Sequence, residues 1–329
     1  MTWLAWRQMR AGVWLAAAAV VLVALAVLAT WHGLDRAWVG SGSSTCGADC
    51  DTAFPDFLGG TKRGLVDVLY QWSVGLRAVP ALVGMFWGVL LVAPELEAGT
   101  FRVSWTQSVS RARWLAAKVA VGAVATVLVT GLLSWALTVW AHGLDWATGS
   151  VASSFAARGV VPVGYALFAF ALGVATGLLF RRVVPAMLVT LGGYVAVTYA
   201  VERWLRDRLI SPVVVDQVLQ AHSAHESGNG FGTILMSGAT AVAPGGWTLS
   251  DQTLAADGQD WARDIPSNCG QGQSQQACDD WLAGLGLHRH LVYHPAAHFW
   301  PLQWAETGLL VAAAVVLVGL CFWWVRRRS

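Results

Sequence analysis

The 329-residue chain has little charge: only 12% of its residues are Asp, Glu, Lys or Arg, whereas 56% are hydrophobic. A water-soluble domain carries about 25% charged residues, so this composition excludes most soluble enzymes. The net charge of +2 gives no case for a nucleic-acid partner. Lipid is therefore expected to solvate much of the protein surface.

Several catalytic motifs are also missing. The sequence contains no Gly-x-x-x-x-Gly-Lys-Ser/Thr loop for ATP phosphates, no Gly-x-Ser-x-Gly nucleophile turn and no His-Glu-x-x-His zinc motif. Ion-coupled carriers usually place ionisable residues inside their spans, and the centres of the apolar runs offer only Ser, Thr and Tyr. We expect the chain to hold no cofactor, to hydrolyse no ATP and to take any transport energy from another subunit.

Six apolar runs are each long enough to cross a hydrocarbon core, which takes about 20 helical residues. Arg181-Arg182 and Pro185 separate the fourth run from the fifth. Trp residues beside Arg7 and Arg10 predict an interfacial helix before the first run. The predicted fold is an all-α polytopic membrane protein with six transmembrane helices and a large extracytoplasmic segment between spans five and six. The spans are 13–31, 74–93, 115–141, 160–180, 183–201 and 303–325.

Charge sets the predicted orientation. An even number of spans places both termini on one side, and that side carries eleven of the 21 basic residues but only two of the 19 acidic ones. Short cytosolic flanks are enriched in Lys and Arg, so both termini are predicted to be cytosolic in the cell membrane.

The chain is expected to have three parts. Residues 1–201 hold spans one to five, with an outer loop at 32–73 and an inner coupling loop at 94–114. Residues 202–302 form an outer cap segment, with candidate helix starts at Ser211-Pro212 and near Asp279-Asp280. Residues 303–329 hold the sixth span and a basic tail.

Four of the five cysteines fall on the predicted outer side, where disulfides persist. Pairing within each segment joins Cys46 to Cys50 and Cys269 to Cys278. Cross-linking of the two segments and a structural zinc site are the alternatives.

Histidines crowd before the last span. His288, His290, His294 and His298 are interpreted as interfacial residues, so no metal is expected. They are the weak candidates for a zinc or copper site, in which Asp279, Asp280 and Glu306 would be oxygen donors.

Two Gly-x-x-x-Gly pairs occur in predicted spans, at Gly84/Gly88 and Gly173/Gly177. Such pairs let helix backbones approach closely. Packing within the chain is the favoured interpretation, and contact with another protomer is the alternative.

The inner loop holds both acidic residues of the predicted cytosolic face. Glu95 and Glu97 are separated by one residue, and Gly99 follows where a helical turn can end. Docking on a partner protein is one explanation of two carboxylates on a basic face. The other is an internal salt bridge, for which the candidate cations are Arg102, Arg111 and Arg113.

At these residues the chain resembles the permease subunits of ATP-binding cassette exporters, in the drug and antibiotic exporter subfamily of actinobacteria. The motif begins with Phe86-Trp87-Gly88 in span two and ends at Lys118. Between them lie Glu95-x-Glu97-x-Gly99-Thr100, Trp105-Thr106-Gln107-Ser108-Val109, Arg111 and Arg113-Trp114. In such permeases this loop is a coupling helix seated in a cleft of the ATPase subunit, and two permeases face each other.

The resemblance implies outward transport of an amphipathic or lipid-like compound such as a drug, antibiotic or peptide. ATP and Mg would bind in the partner ATPase. The other partners would be membrane lipid and a second permease, which forms a homodimer or a heterodimer with this chain. The implied ATPase-coupling residues are Glu95, Glu97, Gly99, Thr100, Trp105, Gln107, Arg111 and Trp114. The candidate wall of the substrate path is Trp72, Phe86, Trp87, Trp135 and Trp140.

Two other functions stay open. A membrane-anchored sensor or immunity protein would bind a ligand in the outer segment without ATPase coupling. A metal-dependent extracytoplasmic enzyme would show metal and turnover in the isolated chain.

Overall fold

The structure is a computed structural model. It describes residues 75–99, 110–148, 155–218, 220–224, 233–237, 246–261, 280–281 and 283–327, together with Trp14, Ala18, Val21, Leu22 and Leu25. The chain divides into two compact units. We call Met1–Ile210 with Trp300–Ser329 the helix unit, and Ser211–Phe299 the sheet unit.

Long apolar helices build the helix unit. The segment after residue 75 contains α1 (Val79–Leu82), a π-helical stretch (Val83–Val89) and α2 (Ala93–Glu97). Next come α3 (Arg111–Thr148), a 3-10 turn (Phe155–Ala157) and α4 (Val161–Phe180). Then α5 (Val183–Ala200) continues through a second π-helical stretch (Val201–Leu205) into α6 (Arg206–Leu209), and α7 (Phe299–Arg327) is the last helix.

Among the described residues, five helices are long and apolar enough to cross a membrane. They are Gly75–Glu97, Arg111–Val139, Val161–Phe180, Val183–Leu209 and Ala296–Arg327, and they overlap five of the predicted spans. The first predicted span and the interfacial helix lie outside the described residues, apart from five helical positions between Trp14 and Leu25. The total of six spans and the topology stay predictions.

Helix α4 lies at the centre of the helix unit, and small residues let the neighbouring π-helical stretch approach it closely. A Cβ at Gly88 would lie 2.5 Å from the Phe170 carbonyl oxygen and 3.0 Å from the Gly173 Cα. A Cβ at Gly84 would lie 2.7 Å from the Ala169 carbonyl oxygen. The π-helical stretch Val83–Val89 therefore packs backbone to backbone on α4, and the prediction of packing within the chain is confirmed for these glycines.

A tight turn joins α4 to α5 at the two arginines that the sequence singles out. Arg181 adopts a left-handed conformation (φ 53°) and donates its N–H to the Gly177 carbonyl at 3.1 Å, which ends α4. The hydroxyls of Thr176 and Thr190 form a 2.7 Å hydrogen bond between the two helices. The predicted turn at Arg181-Arg182 is confirmed.

The sheet unit corrects the expectation of an all-α chain. Strands β1 (Val213–Val218), β2 (Gln220–Ala224), β3 (Thr233–Ser237), β4 (Trp247–Leu254) and β5 (His288–His294) form two antiparallel sheets. One sheet has the order β1-β5-β4, and the other pairs β2 with β3. The protein is therefore mostly helical, with strands inside the segment predicted as an outer cap.

The helix expected to start at Ser211-Pro212 is a strand. Four of the six residues of β1 are Val, whose branched Cβ favours extended backbone. Burial alternates along β1 with the two-residue period of a strand. Near the second expected start, Asp280 and Trp281 are helical, whereas Asp279 lies outside the described residues.

Candidate functional site

The acidic pair of the inner loop lies on α2. Pro94 occupies the first turn of α2, and Gly99 follows the helix with a φ of 71°. A residue with a side chain is strained in that left-handed conformation. Glycine therefore suits this position, and the predicted end of a helical turn at Gly99 is confirmed. We refer to this end of the helix unit as the α2 end.

Glu95 forms an internal salt bridge. Its Oε1 atom lies 2.7 Å from Lys118 Nζ, which reaches it from α3, and both side chains are largely buried. Lys118 Nζ also donates to the Leu91 carbonyl at 2.7 Å. The internal salt bridge left open by the sequence therefore exists for Glu95, with a partner outside the three candidate arginines.

Glu97 has a different environment. Its side chain is exposed, and its Oε2 atom accepts a 3.0 Å hydrogen bond from the Val183 N–H at the first residue of α5. Of the two carboxylates, Glu97 is thus the one that a partner protein can reach. Its hydrogen bond also ties α2 to the turn between α4 and α5.

The other predicted coupling residues separate into two groups. Trp114 is buried in a hydrophobic core with Trp87, Leu91 and Phe170, and Arg111 is the half-buried first residue of α3. Thr100, Trp105 and Gln107 lie outside the described residues. Their coupling roles stay predictions.

Basic residues gather at the α2 end. Cys321 and Val325 of α7 share the core of Leu91 and Leu178, which places the last turns of α7 beside α2 and the end of α4. In α7, the Arg327 guanidinium lies 4.5 Å above the ring of Trp323. The arginines at these helix ends are Arg111, Arg113, Arg181, Arg182, Arg326 and Arg327.

The candidate path residues do not share one environment. Trp87 is 7% exposed and packs in the core, whereas Phe86 and Trp135 are 52% and 67% exposed. Exposed aromatic side chains on membrane helices suit contact with lipid, substrate or another protomer. The Trp72 and Trp140 side chains lie outside the described part of the chain.

A second polar cluster contains Glu306, which the sequence suggested only as an oxygen donor for a metal site. Glu306 of α7 is fully buried and receives two 2.9 Å hydrogen bonds from Arg206 of α6. The Tyr165 hydroxyl of α4 donates to the same carboxylate at 2.7 Å. Glu202 lies 3.7 Å from Arg206 and 3.6 Å from Arg77. We call these five residues the Arg206 network.

Gln303 extends the cluster one turn before Glu306. Its Oε1 atom accepts from the Val160 and Val161 N–H groups at 2.9 Å, and its Nε2 atom donates to the Phe155 carbonyl at 3.0 Å. Gln303 thereby ties α7 to the turn that precedes α4. The sequence signal was an acidic residue only four positions into the sixth predicted span, which marks functional positions in membrane proteins.

The histidines of the sheet unit form local contacts. The Nδ1 atoms of His294 and His298 are 3.1 Å apart, and the Trp247 ring centroid lies 5.0 Å from that of His294. His290 Nδ1 lies 2.6 Å from Asp216, and His288 Nδ1 lies 3.4 Å from the Gly286 carbonyl. In the described ranges, no group of three or more His, Cys, Asp or Glu side chains could hold a metal ion.

Beside them, Arg289 makes hydrogen bonds of 2.8 and 2.7 Å to Asp251, which raise the pKa of its guanidinium. The four outer cysteines lie outside the described residues, so their pairing stays a prediction. Cys321 is a free, buried thiol.

The fold and these clusters define a polytopic membrane protein with charged pairs buried between its helices. Residues 13–206 match the family described as ABC-2 membrane transporter related, and the chain belongs to that family. Membership indicates the permease of an ATP-binding cassette transporter, a transport subunit that works with an ATPase subunit. No curated protein and no solved structure matches the chain.

Proposed function

We propose that the chain is the membrane permease of an ATP-binding cassette exporter in the cell membrane, driven by a separate ATPase that binds ATP and Mg. The observation that carries the proposal is the family match over residues 13–206, which includes α2 and its exposed Glu97. The chain itself needs no cofactor in this role. Its drug or antibiotic subfamily rests on the motif resemblance.

The α2 end is the cytosolic face in this proposal. The arginines that begin or end α3, α4 and α7 support this orientation, since positive charge favours the cytosolic side. The ATPase docks on residues 94–114. Glu97 supplies an exposed carboxylate there, whereas Glu95 already has Lys118 as a partner.

The substrate in this proposal is amphipathic or lipid-like. The exposed apolar faces of α3 and of the span that contains Phe86 suit a path reached from the bilayer, with Trp135 and Phe86 as aromatic contacts. A second permease, identical or different, completes the path.

The test is co-purification with an ATPase encoded beside the chain. We expect wild type to retain the ATPase, and Glu97→Ala to lose it while membrane insertion persists. Removing one buried partner of a charged interface pair costs about 2–5 kcal/mol of binding. Glu97→Gln keeps an oxygen that can accept from the Val183 N–H, so a loss of ATPase binding in this variant reports the loss of the negative charge alone. The matched control is Asp260→Ala, an exposed carboxylate of the sheet unit.

Gly99→Val tests the end of α2 separately. A left-handed backbone costs a residue with a Cβ about 1–2 kcal/mol, so Val changes the direction of the chain after α2, and we expect loss of ATPase binding. Gly99→Asn tolerates this conformation and should retain it. If both Glu97→Ala and Gly99→Val retain the ATPase fully, the docking assignment is wrong and the two carboxylates make only contacts within the chain.

A further inference from the structure

The second span is interrupted just before α2. The π-helical stretch ends at Val89, residues 90–92 form a turn, and Val92 leaves helical geometry with φ −126° and ψ −46°. Pro94 contributes to the break because it has no N–H to donate to the carbonyl of Leu90. A break at this point separates the membrane part of the span from the proposed docking helix.

One side chain bridges the break. Lys118 donates from α3 to the Leu91 carbonyl in the turn and to Glu95 on α2, both at 2.7 Å. Its ammonium lies 4.8 Å from the ring centroid of Trp114, one turn earlier on α3. The Lys118 side chain is only 3% exposed, so water offers no competing partner.

This geometry makes α2, the turn and α3 move together. Separating a buried ammonium from a buried carboxylate leaves an uncompensated charge, which is strongly unfavourable. A displacement of α2 therefore shifts Leu91 and the start of α3 with it. The connection consists of the three-way contact of Lys118, Glu95 and the Leu91 carbonyl, which we call the Lys118 contact.

The other side of the break is held by α4. Gly84 and Gly88 of the π-helical stretch pack against the carbonyl oxygens of Ala169 and Phe170, with no space for a Cβ. The π-helical stretch is thus held on α4, and the turn that follows it is joined to α3 and α2 by the Lys118 contact. π-Helices are rare and are frequently found at functional sites. Conversion to α-helix would shift the chain by one residue.

We propose that Lys118 is a positioning residue of the transport cycle, which passes the movement of α2 into the π-helical stretch Val83–Val89 of the second span. This inference rests on the proposed function, because it takes α2 as the element that the ATPase moves. Glu97 then serves docking, whereas Lys118 and Glu95 serve transmission. The two roles are separable by mutation.

The experiment compares Lys118→Met, Lys118→Arg and wild type in complex with the co-purified ATPase. Hydrogen–deuterium exchange of peptides covering residues 83–92 is measured in detergent, with and without Mg-ATP and vanadate. We expect vanadate trapping to change exchange there in wild type and in Lys118→Arg, which keeps charge and donors. In Lys118→Met we expect the ATPase to remain bound and to hydrolyse ATP, but the exchange response to disappear.

Thr130→Val is the matched control, because the Thr130 hydroxyl is buried on α3 and bonds to the Thr126 carbonyl of its own helix at 2.6 Å. It should keep the full response. A full response in Lys118→Met would overturn the inference, and so would loss of the ATPase from that variant, since Lys118 would then belong to docking. A wild-type chain that binds no ATPase would instead reject the proposed function.

If Lys118→Met does not accumulate, the double variant Lys118→Met with Glu95→Gln decides, because it leaves no unpaired charge. A bound ATPase without an exchange response supports the inference. A restored response, or failure of the double variant to accumulate, contradicts it and assigns Lys118 a role in folding alone.

Discussion

Glu306 and Arg206 show how single charged residues are accommodated inside the helix unit. Glu306 is fully buried, yet both of its oxygens accept hydrogen bonds, from two guanidinium nitrogens and the Tyr165 hydroxyl. Arg206 also stacks over the Phe155 ring at 4.8 Å. A buried charge is stable only when it is paired in this way, so each residue depends on the other.

The first prediction follows from this dependence. Glu306→Ala leaves the Arg206 guanidinium buried without its main partner, and we expect a loss of about 3–5 kcal/mol in the free energy of unfolding. The measurement is chemical unfolding of the detergent-solubilised protein, followed by Trp fluorescence.

The control for this prediction removes both charges. Arg206→Met with Glu306→Leu replaces the pair by apolar side chains of similar length, which is often neutral in protein interiors. We expect the double variant to be more stable than Glu306→Ala. Equal stability of the two would contradict the assignment of the loss to an unpaired cation.

At the scale of elements, backbone contact between helices sets the geometry of the unit. The π-helical stretch Val83–Val89 touches α4 through glycines on both sides, and no side chain separates the backbones there. Exposed glycines elsewhere, such as Gly308 of α7, have no heavy atom within 4 Å of a Cβ position.

The second prediction compares these two kinds of glycine. Gly88→Ala would place a Cβ 2.5 Å from the Phe170 carbonyl oxygen, a backbone atom that cannot turn away. We expect a loss of about 1–3 kcal/mol from overpacking, measured as a lower melting temperature. Gly308→Ala should be neutral or stabilising, because Ala favours helix over Gly. A Gly88→Ala variant as stable as wild type would exclude the close contact.

The elements also show what the sequence could predict. Long apolar runs indicated the five described spans, because a helix solvated by lipid shows its apolar composition within a single segment. The paired arginines between two of these runs marked the turn at Arg181. Strand β1 was mistaken for a helix, since a cap-like Ser211-Pro212 outweighed the run of Val that follows. The Arg206–Glu306 and Lys118–Glu95 pairs join different helices, so no local pattern shows which residues pair.

At the scale of the whole molecule, topology has a chemical consequence. If the loops 32–73 and 202–302 lie outside the cytosol, the third prediction is that mass spectrometry of non-reduced peptides finds no free thiol at Cys46, Cys50, Cys269 or Cys278. Cys321, a free thiol buried on α7, is the internal control that should remain reduced. Four reduced thiols in native membranes would contradict both the pairing and the orientation.

The last prediction concerns the independence of the two units. The family match ends at residue 206, before the sheet unit begins at Ser211, so the sheet unit lies beyond the part of the chain that defines the family. β1 is the first strand of this unit and β5 is the last, and these strands are antiparallel neighbours with Val213 opposite Tyr293. Opposed residues of antiparallel strands have Cα atoms about 4.5–5.5 Å apart, so a short linker can join them.

We therefore expect a variant in which a four-residue Gly-Ser linker replaces residues 214–292 to insert into the membrane. The hydrogen bonds and ion pairs given above for Gln303 and the Arg206 network all join residues of the helix unit. The variant should also retain the ATPase, since the α2 end is unchanged. Co-purification and the melting temperature measure the two properties, and wild type with the same linker inserted after Gly258, in an exposed turn, is the control. Loss of ATPase binding in the deletion alone would show that ATPase binding requires the sheet unit, which would contradict the independence of the two units.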